Sequence, residues 1–198
     1  MNQSEVHPDT HHDIASNTLF GFWIYLMTDA ILFATLFAAY AVLRTGTAGG
    51  PSAKELFHLP NVLIETVLLL ISAFTFALAM LSVAKHRLKE TTLWGVITFL
   101  LGLSFLTMVG EDFMSLIRSG NDWQRSAFLS SYWTLIGIHA LHIVFGLLFM
   151  IVFFTQGFCW GFVPEVVRRL SCLKMFWFFS YFVWIFMFII VYLIGVTG

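Results

Sequence analysis

Ionisable side chains inside long apolar runs are the first candidates for chemistry in this chain. The carboxylates there are Asp29, Glu65, Glu111 and Asp112, and the imidazoles are His139 and His142. In hydrocarbon such groups are costly, and they are retained where they bind a solute, relay protons or tie helices together. The chemistry within their reach is proton exchange, because a carboxyl beside an imidazole or a second carboxyl can share a proton with it. Asp29 lies ten residues into its run, about 15 Å along a helix and close to mid-membrane. It is flanked by Ile24, Ile31, Leu32 and Phe33. An ionised carboxylate there is expensive, so Asp29 is expected to be buried, to keep its proton, and to hydrogen-bond His139 or His142 across two helices. Glu65 and Glu111 each lie six residues from the end of their runs and can face each other. Asp112, nearer the membrane surface, reads as solvated.

The same residues have plainer readings. His139-x-x-His142 is half of a metal-ligand pattern, but a closed site needs about four ligands, and no Cys or third His lies in any apolar run. Interhelical hydrogen bonding is the expected role. His7, His11 and His12 gather in the first residues and read as an exposed polar tail rather than a metal site. No catalytic, cofactor-binding or metal-ligating residue is therefore expected in this chain. Polar seams accompany the ionisable groups: Asn61, Glu65, Ser72 and Thr75; Ser104, Thr107, Glu111 and Ser115; His139, His142 and Gly146. Residues three, four and seven apart share a helix face, so all three seams are expected to point inward, with Leu, Ile, Val and Phe left for lipid.

The elements that must position these groups follow from composition. Of 198 residues, 59% are apolar, against ten Lys and Arg and eleven Asp and Glu. A soluble domain carries about a quarter charged residues. The apolar residues gather in five blocks, 19–43, 59–83, 93–117, 128–154 and 173–196, each longer than the roughly 20 residues that span a bilayer core. The expected fold is all-α, a polytopic membrane protein with one bundle of five transmembrane helices over 19–198 and a polar tail over 1–18. Barrel strands alternate apolar and polar over about ten residues, which these blocks do not.

Near-neutral charge gives no sign of a nucleic-acid partner or a polybasic lipid-docking patch. Cys159 and Cys172 have no close-spaced partner and read as free thiols. Residues 1–18 hold no Lys or Arg and no signal-peptide pattern, so the first block is expected to direct insertion. There is no internal repeat. The segments 84–92 and 155–172, with Lys174, carry Lys85, Arg87, Lys89, Arg168 and Arg169, while the opposite side receives Arg44, Lys54, Arg118 and Arg125. That excess predicts a cytoplasmic N-terminus and, with five spans, an outer C-terminus. Trp23, Tyr25, Tyr40, Trp94, Trp123, Trp133 and Tyr192 mark the span ends as an aromatic belt.

Three segments resemble subunit III of the haem-copper oxidases: Phe20-Gly-Phe-Trp-Ile-Tyr-Leu-Met-Thr-Asp29-Ala-Ile-Leu-Phe33, Met108-Val-Gly-Glu111, and Gly137-Ile-His139-Ala-Leu-His142-Ile-Val-Phe-Gly146. The short five-helix form, with Gly46-Thr-Ala-Gly-Gly-Pro51 followed by Leu59-Pro-Asn-Val-Leu-Ile-Glu65-Thr, is similar to subunit III of the cytochrome bo-type ubiquinol oxidases. The resemblance implies a non-redox accessory subunit of a proton-pumping terminal oxidase in a bacterial cytoplasmic membrane, where quinol oxidation is coupled to reduction of oxygen to water. It implies packing against the catalytic subunit I, which with other oxidase subunits carries the haem and copper. It also implies a cleft that holds phospholipid and support of proton uptake, with Asp29 where the family has its membrane carboxyl, commonly Glu. The last helix keeps Trp177 and Trp184, but Phe178 and Tyr181 stand where the family usually has His and Asp.

The residues support the non-redox part independently. A haem-copper core needs several intramembrane histidines and a binuclear copper site needs close-spaced cysteines, whereas this chain has two such histidines and no such cysteines. A stand-alone proton or solute transporter, with Asp29 and His139 as a relay, is the alternative, and the lack of repeats and of Pro breaks within the spans counts against it. An intramembrane hydrolase is disfavoured because no Gly-x-Ser-x-Gly or His-Glu-x-x-His pattern occurs.

Overall fold

The computed structural model describes residues 10–49, 56, 59–161 and 163–197. His7, Lys54, Glu55 and the side chains of His11 and His12 lie outside the described residues. Five long helices make up the protein: α1 (Thr10–Leu43), α2 (Leu59–Ala84), α3 (Leu88–Arg118), α4 (Ala127–Trp160) and α5 (Pro164–Met187). The last continues through a π-helical segment, Phe188–Leu193, into a final turn, Ile194–Thr197. Among the described residues these are five helices long and apolar enough to cross a membrane, and there is no strand. The protein is an all-α, multi-pass membrane bundle.

Several helix ends differ from the sequence expectation, for physical reasons. Thr10 to Thr18, expected within a polar tail, is already helical. The segment expected as a loop over 155–172 is largely helical, with α4 running to Trp160 and α5 starting at Pro164, because Pro164 is pre-organised for the first turn of a helix and Glu165 complements its dipole. Arg168, Arg169 and Lys174 thus ride on α5 itself; length and apolarity alone could not separate a helix end in the headgroup layer from a loop. Between α3 and α4, Ser126 caps α4 by accepting the Leu129 N–H on Oγ at 3.2 Å.

The helices pack so that α2 lies along α3, α3 meets α4, and α5 touches α1, α2 and α4. The centre is Trp177 of α5, which is 1% exposed. It fits because α3 and α4 each present a glycine to it. A Cβ on Gly102 would lie 3.0 Å from the Trp177 ring, and one on Gly146 would lie 2.9 Å from it. Membrane helices gain no hydrophobic drive from one another, so this close seating, with polar ties, is what holds them. Both indole N–H groups of α5 donate to α2, Trp177 to Ser72 Oγ at 3.0 Å and Trp184 to Thr66 Oγ1 at 3.1 Å. The Thr75 and Thr98 hydroxyls join α2 to α3 at 2.8 Å.

Helix α3 turns a different face inward from the one expected. Its buried residues are Thr91, Gly95, Thr98, Gly102, Phe105 and Val109, a run of alternating four- and three-residue steps that continues to Asp112. Ser104, Thr107, Glu111 and Ser115 are exposed on the opposite side. The outward hydroxyls are satisfied within the helix, Ser104 donating to the Leu100 carbonyl at 2.9 Å and Thr107 to the Ser104 carbonyl at 2.8 Å, so neither needs a neighbour. Small residues, rather than polar ones, decided which face packs. On α2 the expected seam does turn inward at Glu65, Ser72 and Thr75, while Asn61 is exposed.

Candidate functional site

Two groups of ionisable residues lie inside the bundle, at different depths. The first is built by α1, α4 and α5. Asp29 is 8% exposed, and its Oδ2 sits 3.5 Å from Nε2 of His142, within ion-pair range but without hydrogen-bond geometry. Tyr25, one turn earlier on α1, neighbours the same carboxyl. His142 Nδ1 is 2.9 Å from the Ile138 carbonyl, which can only accept, so Nδ1 carries a proton and Nε2 is the atom offered to Asp29. An Nε2 lone pair facing a carboxylate oxygen would be repulsive. The contact sets a carboxyl against an imidazole in a membrane interior, an acid beside a base.

His139 takes no part in that couple. It is 1% exposed and its Nε2–H donates to the Ser180 carbonyl of α5 at 3.0 Å. Phe33, Phe105 and Trp184 surround its ring, leaving Nδ1 without a partner. Of the two partners expected for Asp29, the structure brings only His142 to it, because one helical turn separates the imidazoles and rotates His139 toward α5. His142 is stacked on Phe176 with ring centres 6.0 Å apart.

Phe176 and Tyr25 also line a groove of about 460 Å³ between α1, α4 and α5. Its walls include Phe22, Phe149 and Phe153, and Arg169 stands at its mouth, bonded to Gln156 at 2.8 Å. The groove therefore runs from a basic rim along aromatic walls to the neighbourhood of Asp29 and His142.

The second group sits at the end carrying the α3–α4 loop. Glu65 is 1% exposed. The carboxyl acting on it is Asp112, not Glu111. Glu111 is exposed and lines an open face with Thr107, Met114 and Arg118. Tyr132 of α4 and Tyr192 of the π-helical segment lie in the field of both Glu65 and Asp112, and their hydroxyls are 3.2 Å apart. Sequence reasoning read Asp112 as solvated, whereas it is half-buried and acts on Glu65; it took Tyr25 and Tyr192 only as belt residues and did not single out Tyr132. The heptad-like run of small residues on α3 was the available signal for Asp112, and the four-residue step from Tyr25 to Asp29 was the signal for Tyr25.

Neither group fits a haem or a copper ion. His139 spends its donor nitrogen on Ser180 and faces aromatic rings with the other, while His142 is committed to Ile138 and Asp29. Among the described residues, no three or more His, Cys, Asp or Glu side chains gather where a metal could sit. At the positions where the family usually carries a polar pair, Phe178 is exposed and Tyr181 is half-buried.

Known proteins similar in sequence cover nearly all of this bundle. A relative from Pseudomonas aeruginosa, cytochrome bo(3) ubiquinol oxidase subunit 3, is 50% identical over 187 residues, covering 94% of this chain and 90% of that protein. One of the same name from Buchnera aphidicola is 40% identical and covers 93% and 95%. The cytochrome c oxidase subunit 3 of Bacillus sp. is 37% identical and covers 92% and 88%. The family described as cytochrome c oxidase subunit III matches residues 2–196, nearly the entire chain, and the protein belongs to that family.

Proposed function

We propose that this chain is the accessory, non-redox subunit III of a bacterial terminal oxidase of the cytochrome bo type. In this reading quinol oxidation and the reduction of oxygen to water take place on the haem and copper of the partner subunits. The chain packs on the catalytic subunit I, stabilises it, and supports proton uptake. The observation that carries the reading is family membership over residues 2–196. Quinol is favoured over cytochrome c as the donor because the relatives at 40 to 50% identity described above are named ubiquinol oxidase subunits.

The groove beneath Asp29 supports two finer roles. Aromatic walls with a guanidinium at the rim suit a phospholipid, its phosphate on Arg169 and an acyl chain along Phe22, Phe149 and Phe153. With the N-terminus cytoplasmic, as the basic residues favour, the groove opens on the cytoplasmic side. The Asp29–His142 couple then stands where a proton entering from that side can be held.

Purification in mild detergent tests the reading. Co-purification with haem-bearing subunits, and loss of oxidase lifetime when this chain is stripped away, is the expected result. A chain that purifies alone and moves protons or a solute across vesicles by itself would overturn it in favour of a stand-alone transporter.

A further inference from the structure

Helix α3 carries two seams, and the bundle uses one of them. The inward seam runs through Gly95, Thr98, Gly102, Phe105 and Val109. On the far side Leu100, Leu103, Thr107, Gly110, Met114 and Ile117 are all exposed. Their spacing alternates three and four residues, the pattern by which one helix seats its side chains between those of another. Ser104, Glu111 and Arg118 follow at seven-residue steps along one edge of this outer seam, the position whose charges select a partner helix in such pairings. An open groove of about 820 Å³ runs beside Thr107, Gly110, Glu111 and Arg118. A Cβ added at Gly110 would meet nothing of this chain within 4 Å.

Lipid does not suit this face. Helix α3 has 31 residues, about 46 Å of helix against a hydrocarbon core of about 30 Å, and Glu111 lies about 10 Å before the Arg118 end, just inside the core. Helical side chains lean toward the N-terminus, which for α3 is at the opposite membrane surface. The short Glu111 side chain is therefore directed deeper, away from its nearer headgroup layer. Lys174 of α5 is also exposed within a span, but it leans toward Pro164, its own nearer end, on a stem long enough to reach water. Among the described residues no ion pair reaches Glu111 or Arg118. The outward face of α2, by contrast, is wholly apolar across Leu63, Ile64, Val67, Leu70, Ile71 and Phe74 and suits lipid.

We propose that the outer seam of α3 is the docking face for a transmembrane helix of another subunit, one that carries a Lys or Arg facing Glu111. Thr107 and Gly110 let that helix approach closely, Leu100, Leu103, Met114 and Ile117 pack against its apolar residues, and the opposite charge selects it over lipid. A second copy of this chain does not fit, because two Glu111 carboxyls would meet across a symmetric pair. The inference rests on the reading of this chain as one subunit of a membrane complex.

The test is photo-crosslinking in the intact purified complex, with benzoylphenylalanine replacing Met114 or, separately, Leu70 on α2. The expected result at position 114 is one cross-linked peptide, identified by mass analysis as an apolar span of another subunit that holds a Lys or Arg; position 70 is expected to capture lipid. Lipid alone at position 114, a peptide of this same chain, or a span without a basic residue overturns the proposal. Two variants then probe the seam itself. Gly110→Phe fills it and Glu111→Lys reverses its charge, both on the exposed side of α3, where this chain's own packing is untouched. Each is expected to lower the cross-link yield at position 114 at least about tenfold, because overlapping side chains or like charges across an interface are strongly disfavoured. An unchanged yield in either variant overturns the proposal. A chain that purifies without other subunits would overturn the complex and the docking face together, whereas lipid-only capture within an intact complex overturns the docking face alone.

Discussion

The two buried groups differ in the partner given to an acid. Asp29 faces a base, the His142 imidazole, with Nε2 3.5 Å from Oδ2. Glu65 has another acid, Asp112, as the charged neighbour acting on it. The first arrangement fails when its base is removed; the second is relieved when either acid is removed. Burial alone therefore says little about what an intramembrane carboxyl contributes, because the partner decides the sign.

The largest expected effect comes from breaking the acid–base couple on its basic side. His142→Phe places an apolar ring against Asp29 Oδ2 and should cost on the order of 1–3 kcal/mol, the range for a buried polar group left unpaired. It should be seen as a lower temperature for release of this subunit from the purified complex. An unchanged release temperature would mean the couple contributes nothing. Asp29→Asn is a gentler change, because the new amide can donate to the Nε2 lone pair. The expected cost is below about 1 kcal/mol, typical of interhelical bonds in bilayers. The initial rate of oxygen reduction should persist while activity decays faster during turnover. Abolished oxygen reduction in a fully assembled complex would contradict the supporting role.

The acid–acid pair should respond with the opposite sign. Glu65→Gln removes a repulsion and supplies an amide donor to Asp112, so stability is expected to hold or to rise by up to about 1 kcal/mol. A drop as large as that for His142→Phe would erase the distinction between the two sites. Smallest is Glu111→Gln on the outward face of α3, expected to shift release of the subunit by less than about 0.5 kcal/mol.

Helix α3 shows why these assignments needed coordinates. Polar residues at Ser104, Thr107, Glu111 and Ser115 form a regular stripe, and regular polar stripes in membrane helices are expected to pack inward. The Ser104 and Thr107 hydroxyls are instead satisfied within the helix, and the small residues Gly95, Thr98 and Gly102 on the other side allow close approach to α2, α4 and α5. One residue of register therefore exchanged Glu111 for Asp112 at the contact with Glu65. Likewise His139 and His142 share a helix face, yet only His142 meets Asp29, because the backbone carbonyl of Ser180 captures His139.

The amino-acid sequence by itself determined the membrane, the five spans and the absence of haem or copper ligand sets. These follow from hydrophobic length and from residue type, which are additive along the chain and independent of neighbours. Its ordered motifs were also enough to indicate the family. Which carboxyl meets which partner was decided only by the tertiary structure. That choice depends on helix rotation, and the rotation is set by glycines seating Trp177 and by indole N–H groups reaching Ser72 and Thr66 on another helix. The indole contacts join residues more than a hundred positions apart, and no local pattern in either segment specifies them.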